Sequence, residues 1–104
     1  MMQEYEDLRV SGKLEKIIFT REVKREIASL LISPERTFFS NIIITTNKGE
    51  ETVEIFGVVP NNYLGKDVEI VKSSYKLSKD RKLAMHELYV DGERVINQSI
   101  VRKY

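Results

Sequence analysis

β-branched and aromatic residues crowd into residues 37–46 (TFFSNIIITT), and the second half of that run is apolar at successive positions. Side chains of this kind fit a pleated surface, and apolar residues on both faces belong to a strand with neighbours on either side. The run is therefore read as a central strand. Residues 47–50 (NKGE) supply a turn, and residues 51–59 (ETVEIFGVV) return as the hairpin partner. Gly57 inside that partner marks a bulge or a close backbone approach.

The flanks extend the β pattern. Residues 13–19 read as a first short strand, residues 66–72 as a strand with Val68 and Ile70 on one side, and residues 83–90 (LAMHELYV) as another. Asp91-Gly92 is the strongest hairpin signal in the chain and leads into a last strand over residues 93–101. Between the first strand and the long β-run, residues 21–32 place Val23, Ile27, Leu30 and Leu31 on one helical face. Thr20 stands as N-cap, and Pro34 ends the pattern. One amphipathic helix and about six strands predict a mainly β fold, a small antiparallel barrel-like or curled sheet. An open α+β sheet with the helix on one face is the alternative. The chain of 104 residues holds one domain's core, with residues 1–12 expected as a flexible polar segment.

Composition excludes several classes of function. The chain has no cysteine, which removes disulfides, zinc-thiolate sites and thiol nucleophiles. Residues 1–7 are acidic and lack a signal peptide's apolar run, and the longest strictly apolar stretches are short, such as Ile42-Ile43-Ile44. A cytoplasmic protein with no membrane role, no metal and no cofactor is the expectation, and the Asn97-Gln98-Ser99 sequon is read as chance. Seventeen basic residues oppose 16 acidic ones, a balance unlike that of a duplex-coating protein.

The basic residues are nonetheless clustered. Residues 73–82 read as a polar connection in which Lys76, Lys79, Arg81 and Lys82, with Lys72 just before, face a single acid, Asp80. Lysine and arginine neutralise phosphates, and a tyrosine among them offers a stacking face. The candidate nucleic-acid-binding residues are Lys72, Tyr75, Lys76, Lys79, Arg81 and Lys82. Tyr63 and Lys66 join them from the loop over residues 60–66. The competing reading of the basic run is a solvated loop, and that of the 60–66 loop is turn chemistry, with Tyr63 and Leu64 plugging the core.

Catalytic chemistry is not legible. His86, the one histidine, has the apolar neighbours Ala84 and Leu88 on its own side, which marks a hydrogen-bonded core or edge residue rather than a catalyst or ligand. Glu87 points to the opposite side. Glu54, Asp67, Glu69 and Glu87 are spread over three strands, and no nucleotide-binding loop, zinc motif or nucleophile elbow is present. The strands around Ile42-Ile43-Ile44 and Leu83 to Val90 carry apolar residues on both faces, which makes a homodimer the expected state.

Pro60, Gly65, Lys66, Val68 and Ile70 give the run from 60 to 71 a resemblance to the proline-to-glycine-lysine-valine segment of swapped-hairpin, AbrB-like DNA-binding proteins. That family pairs such segments between two chains to form a small DNA-binding barrel. The resemblance covers twelve of 104 residues, and the rest of the chain departs from that compact architecture. The reading of the residues is a non-enzymatic binding module for single-stranded DNA or RNA. A homo-oligomeric protein-interaction domain is the alternative.

Overall fold

The computed structural model describes residues 4–22 and 38–103. Six strands form one antiparallel sheet: β1 (Glu4–Glu22), β2 (Phe38–Thr46), β3 (Gly49–Phe56), β4 (Asp67–Lys76), β5 (Arg81–Val90) and β6 (Glu93–Lys103). Their order is β3-β2-β1-β4-β5-β6.

β1 organises this arrangement. Its first half, residues 4–13, pairs with β4, and its second half, residues 13–22, pairs with β2. Lys13 belongs to both ladders, opposite Asp67 on one side and Thr45 on the other. A strand that changes partners in this way has to bend, and register shifts at Glu6/Leu8, Leu14/Lys16 and Ile17/Phe19 supply the bends. Gly12 sits at the crossing. A Cβ there would collide with the Thr45 carbonyl oxygen and come within 2.8 Å of Ile44 Cγ2, so no side chain fits.

The bend folds β2 and β3 over the face of β4, β5 and β6. The core lies between these layers, with Leu14, Ile42, Ile44, Ile55, Ile70 and Leu88 fully buried. Each such side chain is worth about 1.5–3 kcal/mol when removed from water. A second cluster, Phe39, Phe56 and Ile100 with Ala84 packed against it, lies further along β5 and β6. A 3₁₀ turn, Asn61–Tyr63, precedes β4, and Tyr63 packs against the main core. The Gly65 N–H donates to the Leu14 carbonyl at 2.8 Å, and the Leu14 N–H to the Lys66 carbonyl at 3.0 Å, tying this loop to β1.

Several expectations are corrected. The sheet is curled but not closed into a barrel. Closure would require β3 to pair with β6, the strand at the other end of the order, and among the described residues no such ladder forms. The end of β3 lies instead on the sheet face, where Gly57, at φ +120°, leaves only 3.1 Å between a would-be Cβ and Ile96 Cγ2. The close approach expected at Gly57 is thus present.

The amphipathic helix is not found among the described residues. Thr20 is not an N-cap: its hydroxyl bonds Ser40 Oγ at 2.9 Å, and Arg21 and Glu22 continue β1 opposite Phe39 and Phe38. The Val23, Ile27, Leu30 and Leu31 face lies outside the described residues. Of residues 1–12, expected as flexible, residues 4–12 stand in the ladder with β4. β4 runs on through the buried Ser73 and Ser74 to Lys76, so the polar connection shrinks to residues 77–80. The run from 60 to 71, read for its likeness to swapped hairpins, leads into a strand held within the same sheet.

Candidate functional site

Lys72 to Lys82 form not a loop but the end of a hairpin, and strand alternation sorts their side chains. Lys72 is opposite His86, Ser74 opposite Ala84 and Lys76 opposite Lys82. Cross-strand partners share a face. Lys72, Lys76 and Lys82 therefore stand on the inner face with His86 and Ala84, while Tyr75 and Arg81 stand on the outer face. Lys79 lies at the turn, where the Ser78 hydroxyl donates to Asp80 Oδ1 at 3.0 Å. Tyr63 and Lys66 lie at the other end of β4, about 30 Å away at ~3.3 Å per residue. The Tyr63 ring packs on the core, and Lys66 Nζ is 3.9 Å from Asp91 Oδ2. The structure thus brings together Lys76, Lys79 and Lys82, puts Tyr75 and Arg81 on the opposite face of the same tip, and leaves Tyr63 and Lys66 remote.

The rung at the tip runs from Lys76 through Lys82 to Arg102 of β6. Like charges placed directly opposite each other destabilise a sheet unless something neutralises them. Among the described residues Lys76, Lys79, Arg81 and Lys82 enter no ion pair. Lys72 and Tyr75 are already engaged in contacts of their own.

Next to this rung lies a group of residues that sequence reasoning passed over. Ala84, two positions along β5 from Lys82, packs against the cluster of Phe39, Phe56 and Ile100. The Arg21 guanidinium lies 4.5 Å from the Phe39 ring centroid and 5.6 Å from that of Phe19. Phe19 is opposite Asn41, which is opposite Glu54. Phe19 is 40% exposed although it is large and apolar. Reading Thr20 as a helix cap cut β1 short and hid the alternation of Phe19 and Arg21 on one face.

His86 is buried, the core alternative of the two readings its apolar neighbours allow. It stacks on Phe56 at 3.9 Å with 12° between the rings, and its Nδ1 accepts the Phe56 N–H at 3.0 Å. Glu87, on the outer face, accepts from the Tyr89 hydroxyl at 2.7 Å and from Arg94 at 3.4 Å. That hydrogen bond, with burial and the Glu87 charge, raises the Tyr89 pKa, against a lowering by Arg94.

A shallow depression of about 430 Å³ beside the Asp91-Gly92 turn is lined by Asp67, Val68, Glu69 and Tyr89. Two of its carboxylates are occupied. Glu69 binds Arg9 at 2.8 Å and Ser11 at 3.2 Å, and Asp91 faces Lys66. Among the described residues no group of three or more histidine, aspartate or glutamate side chains is placed to hold a metal ion. No helix there is long and apolar enough to cross a membrane. No family model, curated protein or solved structure matches the chain.

Proposed function

We propose that the chain is a non-enzymatic binding module that grips single-stranded nucleic acid by its phosphates at the β4–β5 hairpin tip. The observation that supports this reading is that Lys76 stands opposite Lys82 at the tip, with Lys79 at the turn and Arg81 on the other face, and that among the described residues none of the four enters an ion pair. A polyanion laid over the tip relieves the repulsion within the rung and releases its own counterions. Lys72 lies further in on the same face. Tyr63 and Lys66 have no part in this reading because they stand at the other end of β4.

Fluorescence anisotropy with a labelled single-stranded oligonucleotide at low salt tests it. Affinity is expected to fall steeply with salt, with a log–log slope of roughly 0.7 per phosphate contact. Replacing Lys76, Lys79, Arg81 and Lys82 together with alanine is expected to abolish binding. Absence of binding by the unmodified protein at low salt overturns the proposal.

A second reading, self-association, rests on β3 and β6, which end the sheet order. The strands first suspected of needing a second chain, β2 and β5, each lie between two paired neighbours. Sedimentation near twice the 12.1 kDa chain mass supports that second reading, and a monomer over a wide concentration range removes it.

A further inference from the structure

We infer that the bases of the bound strand stack on Phe19, with the Arg21 guanidinium beside it, rather than on either tyrosine first considered. This inference rests on the proposed single-stranded binding at the tip and names which face of the molecule reads the bases.

Four observations carry it. Phe19 is 40% exposed, on a paired strand that gives its ring a fixed backbone. Arg21 lies within cation–π distance of both rings, so its guanidinium is seated on the buried Phe39 ring and held beside the exposed Phe19 ring. The ring under Arg21, Phe39, belongs to the same buried cluster as Ala84, two positions along β5 from Lys82, so Arg21 and the basic tip flank one cluster. The tyrosines fit less well: Tyr63 packs on the core some 30 Å away at ~3.3 Å per residue, and Tyr75 is half-buried on the other face.

The chemistry matches a single strand. An unpaired base presents a π-face to a ring whatever its identity, and a guanidinium bonds phosphate while it stacks. Glu54, two strands across from Phe19 on the same rung, repels phosphate and sets the limit of the path at β3. The strand accordingly runs from the β4–β5 tip over Arg21 to Phe19 and stops short of β3.

Two labelled strands of equal charge decide the matter, an oligothymidylate of about 12 nucleotides and an abasic strand of the same length. The unmodified protein is expected to prefer the oligothymidylate by a factor on the order of ten, since base stacking on a ring is sequence-tolerant but needs a base. Phe19→Ala and Phe19→Leu are expected to lower oligothymidylate binding to the abasic level and leave abasic binding unchanged. Phe19→Leu keeps the apolar bulk and serves if the alanine variant unfolds, and circular dichroism checks both. In Phe19→Trp, tryptophan emission is expected to quench with oligothymidylate and not with the abasic strand. Equal binding of the two strands by the unmodified protein, or a preference that survives both substitutions, overturns the platform and leaves the phosphate reading standing. Binding of neither strand overturns both.

Discussion

The Phe56 N–H points off the side of β3 away from β2, and a donor stranded at a buried sheet edge costs free energy unless something accepts it. His86 Nδ1 is that acceptor. To accept there the ring must be neutral, with its proton on Nε2. His86→Phe keeps the stacking ring and deletes the acceptor. It should destabilise the fold by about 1–3 kcal/mol, the cost of an unsatisfied buried donor. Urea unfolding measures the loss, and the Phe56 amide should exchange faster with solvent. If unfolding midpoints coincide, the ring alone holds β3 in place. Tyr89 gives the pH test at this scale. Its pKa is raised, chiefly by the hydrogen bond to Glu87, so the fold favours the phenol over the phenolate. The stabilisation is complete below the ordinary tyrosine range and disappears as pH climbs through the raised value. Glu87→Gln removes the carboxylate charge and should bring the titration down. The ultraviolet phenolate signal shows the change when each protein is compared with its Tyr89→Phe counterpart.

At the scale of elements, β1 depends on its crossing point. Gly12→Ala puts a methyl group into backbone rather than into the yielding end of a side chain, and the strand must shift. A loss of about 1–3 kcal/mol is expected, comparable with overpacking a core, and a thermal melt measures it. An unchanged melting temperature would mean that β1 slides freely past β2. The hairpins were legible because their signals are local. Asp91 takes φ 51°, the left-handed conformation that an aspartate-glycine turn demands, and residues 39–46 pair with residues 49–56 across the turn at 47–48. The first half of β1 was missed because its residues are polar. Yet Leu8 and Val10 alternate with Arg9 and Ser11, which is a strand's period, and Val10 is buried. Ser73 and Ser74 looked like loop residues and are buried strand. At the candidate site, clustering of charge was visible in the sequence, but which side chains share a face depended on knowing that β4 reaches Lys76. The alternation then parts Tyr75 from Lys76, and no local signal links Phe19 to Lys82.

Across the whole molecule, charge is divided rather than absent. The carboxylates of Asp67, Glu69 and Asp91 surround the depression at one end of β4, two of them paired with Arg9 and Lys66, and Lys76, Lys79 and Lys82, in no ion pair among the described residues, gather at the other. A net charge of +1 conceals that separation. The split pairing of β1 also determines when the fold can be completed. β2 meets β3, and β4, β5 and β6 meet one another, through short turns, whereas Glu4 waits for Tyr75. Loop-closure entropy makes such distant pairing slow, and sheets dominated by it fold over about milliseconds to seconds. During synthesis β1 leaves the ribosome ahead of every other strand here and finds its second partner only after β4 has emerged. Until then half of its hydrogen-bonding edge is open to other chains. Stopped-flow refolding should show that interval as a slow phase, lengthened by substitutions in the β1–β4 ladder only if the ladder is already formed in the transition state.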